Sequence, residues 1–246
     1  MSRLIVGIQP VREAIRAHEA KLEQVLVEES DSPQLEAIAR FAKDRGAKVI
    51  RVRRAELDRL TKNGRHQGVI AFAPELTIVS LDELDTGDGA LIVVLDELED
   101  PQNFGAILRS AVGLGATAVV WPEHHSAPLT PATFRASAGA VEHATLCRVG
   151  SLTSALADLI ARGVKVVGLD SNAPALIEEV TFEGSSPVAI VIGAEGKGLR
   201  KSVKAACEEL ARLPMQSTID SLNASVAAAI ALYEVVRQRR VAARPT

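Results

Sequence analysis

The chain has 246 residues, of which 47% are hydrophobic and 24% are charged, and its formal net charge is −3 at pH 7. A chain of this size buries a sizeable core, and we expect a soluble globular protein of two compact units. No apolar run reaches the roughly 18 to 20 residues of a membrane span, and no secretory signal precedes the first strand-like run, so we expect a cytoplasmic protein without a membrane partner.

Short strand-like and helical runs alternate through residues 1–75. The strand-like runs are 4–8, 23–27, 48–52 and 68–72, and the helical runs are 10–17, 33–45 and 54–60. Pro10 stands in the first turn of its helical run, where proline is well tolerated. This alternation predicts a small α/β sandwich.

Positive charge is concentrated in this first unit. Residues 1–75 hold 14 Lys and Arg against 11 Asp and Glu, whereas residues 76–246 hold 14 against 20. Within residues 40–66, ten basic side chains face three acidic ones. This local excess suits a phosphate backbone, although a solvated helix face with ordinary surface charge would have the same composition.

The composition changes between residues 74 and 89, where Pro74 and two glycines bracket Asp82, Glu83, Asp85 and Asp88, and we interpret residues 76–89 as a linker. From residue 90 to residue 246, apolar strands alternate with helical stretches. The strands are 90–95, 118–121, 165–169 and 188–192, and the helical stretches are 106–114, 152–162, 200–207 and 223–240. This pattern predicts a parallel sheet with helices on both faces.

Three separated turns in the second unit share one kind of chemistry. Each follows an apolar run, at 91–95, 188–192 and 210–213, and each precedes a helical stretch. The turns read Asp-Pro-Gln-Asn-Phe-Gly-Ala-Ile-Leu-Arg at 100–109, Gly-Ala-Glu-Gly-Lys-Gly-Leu at 193–199, and Leu-Pro-Met at 213–215 leading to Ser-Leu-Asn-Ala-Ser at 221–225. Because parallel strands end at one edge of a sheet, where α/β folds bind ligands, the three turns predict one active site.

The glycines of the second turn fit neither of two familiar nucleotide signatures. A phosphate-binding loop would need glycine at Val191 and Ser or Thr at Gly198. The stretch 113–118 formally fits the dinucleotide fingerprint Gly-x-Gly-x-x-Ala, but it follows a helix and precedes a strand, the reverse of the required order. A nucleotide-dependent dehydrogenase is therefore a weak alternative.

In order and spacing, the three turns closely resemble the three motifs of the SpoU (TrmH) branch of the knotted SPOUT methyltransferases. The likeness covers essentially the whole chain, since residues 1–75 resemble the substrate-binding domain of the subgroup, including Gly7-Ile8 and His66-Gln67-Gly68. The resemblance implies methyl transfer from S-adenosylmethionine to a ribose 2′-hydroxyl in RNA. It also implies a deep trefoil knot at the C-terminal end, which ordinary connection rules would not predict.

The resemblance assigns catalytic roles to five residues. It places Arg109 at the reacting hydroxyl as a general base, but a guanidinium rarely loses its proton, so a grip on the neighbouring phosphate is the less demanding role. Asn103 would orient the ribose and Arg109 or cap its helix, and Glu195 would hold Arg109 or accept a ribose hydrogen bond. Ser221 and Asn223 would act at the ribose or the cofactor carboxylate, although both positions also suit helix capping.

The second and third motifs imply the cofactor site. The residues expected to contact S-adenosylmethionine are Ile192, Gly193, Gly198, Leu213, Met215 and Leu222. Glycine allows a close backbone approach, and the apolar side chains would line an adenine pocket or, equally, a core. One departure is Ser217, which stands where the family has glycine two residues after the motif methionine, so we expect an altered loop near Met215.

Residues 224–232 are apolar nearly all round, which is unusual for a helix that packs by one face. We interpret this stretch as a subunit interface, and the SpoU resemblance likewise implies a homodimer. No metal is expected, because Cys147 and Cys207 are too few for a zinc site or a disulfide framework and lie in apolar surroundings typical of buried thiols.

RNA contacts are expected from the basic region, at Arg51, Arg53, Arg54, Arg65 and His66. The N-terminal likeness favours a guanosine of large-subunit (23S) rRNA, and a tRNA or an antibiotic-resistance site on rRNA is the alternative within the family. A non-catalytic RNA-binding or ribosome-assembly protein that keeps the fold is a second class of function.

Overall fold

The computed structural model describes residues 2–62, 64–127, 129–216 and 221–243. The first unit is built from β1 (Arg3–Val6), α1 (Ile8–His18), β2 (Gln24–Glu28), α2 (Pro33–Asp44), β3 (Val49–Val52), α3 (Arg54–Thr61) and β4 (Val69–Ala73). Its strands form one sheet in the order β1-β4-β2-β3, in which only β2 and β3 are parallel.

Helices cover both faces of this first sheet. Ile15 of α1 and Ile38 of α2 pack with Val25 on one face, and Leu57 of α3 packs with Ile70 on the other. Alternate side chains of a strand point to opposite faces, so each face of the sheet receives its own apolar layer. The predicted α/β sandwich is confirmed.

The second unit is larger, and its sheet has eight strands within the part of the chain that the structure describes. Its elements are β5 (Ile78–Val79), β6 (Leu91–Asp96), α4 (Pro101–Gly113), β7 (Ala118–Pro122), α5 (Pro131–Ala136), β8 (Leu146–Val149), α6 (Leu152–Ala161), β9 (Lys165–Leu169), β10 (Ala175–Leu176), β11 (Val188–Gly193), α7 (Lys201–Ala206), β12 (Glu209–Arg212) and α8 (Ala224–Ala242). The strand order is β10-β12-β9-β11-β6-β7-β8-β5, and all the neighbouring strands are parallel.

The central strand β6 shows why this sheet needs helices on both faces. Leu91, Val93 and Leu95 pack with α4 and α8 on one side. Ile92 and Val94 pack with α6 and α7 on the other side. Burying such side chains contributes about 1.5 to 3 kcal/mol each, so a strand of this composition is stable only when covered twice. The predicted parallel sheet with helices on both faces is confirmed.

Part of the segment 76–89, which was interpreted as a linker, is packed against the second unit. β5 pairs in parallel with β8 and forms one edge of the second sheet. Leu84 is buried, and Arg162 donates hydrogen bonds to the carbonyl oxygens of Leu81 and Leu84 at 2.9 and 2.6 Å. These contacts fasten residues 78–84 to the second unit, while the domain boundaries at 75 and 90 stay a prediction.

None of the described helices combines the length and the apolar character that a membrane span requires. The position of Ser217 lies outside the described residues, so the expected change in its loop stays a prediction.

Candidate active site

The three predicted turns open at the same edge of the second sheet. They follow β6, β11 and β12, which are parallel members of one sheet. The first turn leads into α4, the second into α7 and the third into α8. Parallel strands carry their carboxyl ends to one edge, which is where such folds assemble ligand sites.

One polar side chain from each turn joins a single hydrogen-bonded cluster. The amide nitrogen of Asn103 donates to Oε2 of Glu195 at 3.0 Å. The amide nitrogen of Asn223 donates to Oδ1 of Asn103 at 2.9 Å and to the same Glu195 oxygen at 3.3 Å. We call Asn103, Glu195 and Asn223 the polar cluster. It ties together three segments that are far apart along the chain.

Helix capping places two members of the polar cluster. Asp100, not Asn103, caps α4, since its carboxylate accepts from the backbone N–H groups of Gln102 at 2.9 Å and Asn103 at 3.3 Å. This leaves the Asn103 side chain free for the cluster. Asn223 caps α8 through its Oδ1, which accepts from the backbone N–H of Ser225 at 3.0 Å, while its amide nitrogen faces the cluster.

The second turn folds back onto its own strand and carries Glu195 near its tip. The N–H of Gly198 donates to the carbonyl of Ala194 at 2.8 Å. A Cβ on Gly193 would lie 2.2 Å from the carbonyl carbon of Gly198, so only glycine allows this approach. Gly196 and Gly198 have φ angles of 75° and 64°, in the left-handed region that favours glycine.

A cavity of about 230 Å³ lies against this turn. All six residues expected to contact the cofactor line it, namely Ile192, Gly193, Gly198, Leu213, Met215 and Leu222. Glu195 and Ser221 also face the cavity. Apolar side chains together with a turn of exposed backbone form a pocket suited to a planar heterocycle with polar edges.

Sequence reasoning missed the part of the cavity that follows β9. Asp170, Asn172 and Lys204 line it, and the Lys204 ammonium forms an ion pair with Asp170. Partial burial acts to raise the pKa of Asp170, but hydrogen bonds from Lys204 and the Asn172 backbone outweigh it and hold that pKa below its usual range. These residues could have been predicted from the sequence, because β9 ends at the same edge of the sheet as the strands that precede the three motifs.

A second missed pair joins the first and second turns. Asp96, the last residue of β6, is fully buried. Its carboxylate accepts from the backbone N–H of Arg200 at 2.8 Å and from Nε of the same residue at 2.7 Å. An acidic residue closing an otherwise apolar strand was the available sign, since a buried charge needs a partner.

Arg109 lies outside the polar cluster. Its side chain is exposed on α4, and none of the described residues forms a hydrogen bond or ion pair with it. It lies six positions after Asn103 on the same helix, which places the two side chains about 120° apart around the helix axis. In the structure Glu195 accepts from Asn103 and Asn223 and does not contact Arg109, so the expectation that Glu195 holds Arg109 stays a prediction.

The residues expected to contact RNA fall into two groups. Arg53 and Arg65 are exposed, and neither has a hydrogen-bonding or ionic partner among the described residues. Arg54 is also exposed but reaches Oε2 of Glu28 at 3.4 Å. Arg51 is half-buried, pairs with Glu36 and donates to a backbone carbonyl at 3.2 Å. The exposed members present cationic heads to solvent, as a phosphate contact requires.

His66 does not present its ring to solvent. The residue is 2% exposed, its Nε2 lies 2.9 Å from Oδ1 of Asp58, and its Nδ1 accepts from the N–H of Gly68 at 3.0 Å. Both ring nitrogens are engaged, which fixes the tautomer with the proton on Nε2. In this arrangement the ring braces the turn before β4, and an RNA contact by His66 stays a prediction.

Two family models match the chain. Residues 90–233 match the one described as the SpoU rRNA Methylase family, and residues 4–79 match the one described as RNA 2′-O ribose methyltransferase substrate binding. The chain belongs to the SpoU rRNA methylase family. This SpoU protein is therefore an RNA methyltransferase.

Similar proteins agree with this membership. A protein of Mycobacterium ulcerans called an uncharacterized tRNA/rRNA methyltransferase is 40% identical over 243 residues, which cover 96% of this chain and 77% of that one. The AdoMet-bound rRNA methyltransferase of Sinorhizobium meliloti is 27% identical, with a TM-score of 0.78 over 96% of this chain and 87% of its own. The TrmH/SpoU tRNA modifying enzyme of A. aeolicus is 25% identical, with a TM-score of 0.56 over 65% of this chain and 81% of its own.

S-adenosylmethionine is the cofactor of SpoU methyltransferases, and the Sinorhizobium enzyme contains it. The cavity of this chain fits such a molecule. Leu213 and Leu222 offer apolar surface for an adenine ring, and Asp170 and Asn172 offer groups that bind hydroxyls.

Proposed function

We propose that this SpoU enzyme transfers a methyl group from S-adenosylmethionine to the ribose 2′-hydroxyl of a guanosine in large-subunit (23S) rRNA. The observation that carries the proposal is the polar cluster, in which all three motifs meet beside the cofactor cavity. A non-catalytic RNA-binding protein would have no need for carboxylate and amide groups held at this place.

The choice of ribosomal RNA is supported by how much of the chain each comparison spans. The rRNA methyltransferase of Sinorhizobium meliloti matches 96% of the chain, whereas the tRNA modifying enzyme of A. aeolicus matches 65%. The basic first unit is part of the larger match. A tRNA substrate is the alternative, since the curated relative is named for both kinds of RNA. An rRNA substrate would place the enzyme in the cytoplasm.

Positioning is the main task of the protein in this reaction. S-adenosylmethionine supplies an electrophilic methyl group on a sulfonium, so the ribose oxygen gains the methyl as the carbon–sulfur bond breaks. Glu195 has one carboxylate oxygen occupied by two amides, while its Oε1 has no partner among the described residues. This free oxygen would accept a hydrogen bond from the ribose hydroxyl at the mouth of the cavity.

Arg109 would bind the phosphate beside the target ribose. Its guanidinium is exposed and unpaired among the described residues, which suits it to a ligand that arrives from solvent. A bidentate grip on a phosphate orients the nucleotide without any loss of the guanidinium proton. The hydroxyl proton, which begins in the hydrogen bond to Glu195, would then pass to that carboxylate, to the phosphate or to water. Ser221, which faces the cavity, would bind the ribose or the cofactor carboxylate.

We also propose a homodimer in which α8 forms the interface. Val226, Ile230, Tyr233 and Val241 are 40 to 56% exposed and follow one another at helical spacing along α8. Because Asn223 caps the start of α8, an interface along this helix would border the active site and bring the basic first unit of one subunit near the site of its partner. A trefoil knot formed by the loops after β11 and β12 belongs to the same proposal.

The deciding experiment uses methyl-labelled S-adenosylmethionine with unmodified ribosomal RNA and, separately, unmodified tRNA. The label should enter 23S rRNA and survive alkaline hydrolysis, because a 2′-O-methyl group blocks cleavage of the adjacent phosphodiester. Label in tRNA alone would select the alternative substrate. If the parent labels neither RNA and Arg109→Ala binds RNA as tightly as the parent does, the non-catalytic reading replaces this one.

A further inference from the structure

The first and second units meet at a buried ion pair. Arg3 of β1 donates from Nη1 and Nη2 to the two carboxylate oxygens of Glu142 at 3.0 and 2.7 Å. The side chain of Glu142 is 2% exposed and that of Arg3 is 9% exposed. A bidentate pair of this kind has a fixed geometry, so it orients the two units as well as attracting them.

Further groups surround the same carboxylate. Nε2 of His18, at the end of α1, lies 2.8 Å from Oε2 of Glu142. The remaining guanidinium nitrogen of Arg3 donates to the carbonyl of Pro74 at 3.0 Å, and its cationic head lies 5.2 Å from the centre of the Phe134 ring. All the donor groups of this arrangement come from the first unit, and the carboxylate comes from the second.

Backbone packing reinforces the contact a few residues away. A Cβ added to Gly139 would lie 2.8 Å from the Cβ of Glu13 and 2.9 Å from the Cα of Pro10, so α1 rests directly on this glycine. Glu13 also reaches Nε2 of His143 at 3.0 Å. We call residues 131–143, which include α5 and carry Gly139, Glu142 and His143, the docking segment.

The docking segment also supports the catalytic helix from its other side. A Cβ on Gly105 of α4 would lie 2.5 Å from the Cβ of Ala136 and 2.5 Å from the carbonyl oxygen of Thr133. The same helix carries Asn103 and Arg109. The first unit and the helix that bears two expected catalytic residues are therefore fastened to the same short segment.

We propose that Glu142 is a positioning residue, which fixes the RNA-binding unit relative to α4 so that RNA held by the first unit meets the active site in one orientation. This inference rests on the proposed function. Removing one partner of a buried pair leaves a charge without compensation and opens the contact. The first unit would still bind RNA, but it would present the target ribose over a wide range of positions.

Charge reversal and its repair test this proposal in the full chain. Glu142→Arg and Arg3→Glu should each lower kcat/KM for RNA about tenfold or more, while the Kd for S-adenosylmethionine and the Kd for RNA stay within about twofold of the parent. The double variant Arg3→Glu/Glu142→Arg restores an ion pair and should recover kcat/KM to within about threefold. If the pair only stabilised the fold, kcat/KM would instead rise and fall with thermal stability across the three variants.

A matched control is the exposed ion pair between Lys165 and Glu209, 3.0 Å apart on β9 and β12. Glu209→Gln should leave kcat/KM for RNA unchanged, because that pair joins strands of the second sheet and does not touch the first unit. If Glu142→Arg fails to fold, Glu142→Gln, which keeps nearly the same shape, and Arg3→Gln, which is shorter and neutral, each remove one charge of the pair and should lower kcat/KM for RNA in the same direction.

Spin-label distances separate this inference from the proposed function. Labels at Ser30→Cys and Ala157→Cys, diluted with unlabelled chain, should give a narrow distance distribution in the parent, a broad one in Glu142→Arg and a narrow one in the double variant. An unchanged distance distribution in Glu142→Arg overturns the inference. A broadened distribution in a variant that keeps the kcat/KM of the parent overturns it as well. Absence of methylation in the parent overturns the proposed function, whereas the distances still report on the contact.

Discussion

At the scale of single residues, Asn103 holds the three motifs together with one amide. Its oxygen accepts from Asn223 and its nitrogen donates to Glu195. An aspartate would keep the acceptor but replace the donor with a negative charge facing a carboxylate. The residue type at this position therefore follows from its two neighbours.

We predict that Asn103→Ala lowers kcat by about 10- to 100-fold, because Glu195 keeps only the longer hydrogen bond from Asn223 and its orientation loosens. The Kd for S-adenosylmethionine should stay within about twofold of the parent, since Asn103 does not line the cavity. Single-turnover methylation and calorimetry measure the two quantities. The control is Gln102→Ala, one residue away and exposed. Equal loss in both variants would contradict a specific role for the cluster.

The two cysteines are expected to be unreactive. Burial, with a smaller contribution from Glu83, raises the pKa of Cys147 to about 11. Burial, with Asp96 nearby, raises the pKa of Cys207 to about 12. A raised pKa means less thiolate at a given pH, so alkylation at pH 8 should be roughly 100-fold slower or more in the folded protein than after denaturation. Mass spectrometry after timed iodoacetamide treatment checks this, and rapid labelling of either native thiol would refute it.

Exposed and buried basic residues should respond differently to mutation. Arg53→Ala and Arg65→Ala should weaken RNA binding and reduce the slope of log Kd against log salt by about one each, as expected for single phosphate contacts. His66→Ala should instead lower the melting temperature, because it leaves Asp58 and the Gly68 N–H without their partner. Fluorescence anisotropy in a salt series and thermal melting distinguish the two effects.

At the scale of elements, the contact between α4 and α5 depends on a glycine. No side chain fits at Gly105, whereas Gly113 in the same helix has open space around its Cβ position. We predict that Gly105→Ala lowers the free energy of unfolding by about 1 to 3 kcal/mol through overpacking. Gly113→Ala should leave it unchanged or raise it by up to about 1 kcal/mol. Urea unfolding of the two variants measures both, and equal effects would contradict the close approach of the helices.

The sequence predicted the strands whose composition left no alternative. β6 and β11 are continuous apolar runs bounded by turn residues, and a strand buried on both faces needs such a run. β8 was missed because its four residues include an exposed arginine, Arg148. β10 was missed because a strand of two residues is too short to show an alternating pattern. α5 is only six residues long, too short to show a helical repeat.

The candidate site was predictable to a similar degree. Motif spacing located the turns, and strand direction brought them to one edge. The partners of each side chain were not predictable, because Asn103 and Glu195 are 92 residues apart and their contact depends on the whole sheet. The same limit applies to the expected contact between Arg109 and Glu195, which the structure does not contain. A helix places residues six positions apart on different sides of its axis. Which contacts each of them makes depends on the segments that pack around the helix.

At the scale of the whole molecule, we predict that Tyr233→Glu converts a dimer into monomers, because a charge on the exposed apolar face of α8 would have to be buried in the interface. Light scattering after size-exclusion chromatography gives the mass directly. Ala157→Glu on the exposed side of α6 is the control and should leave the mass unchanged. A parent that is already monomeric would remove α8 from the proposal.

The hydrogen bond between Asn103 and Asn223 also determines when the active site can assemble during synthesis of the chain. These residues are 120 positions apart, and a ribosome adds about 5 to 20 residues per second. The first motif therefore waits on the order of 6 to 24 s before the third has been synthesised. During that interval the nascent chain has no assembled active site, so it cannot modify the ribosome that is making it.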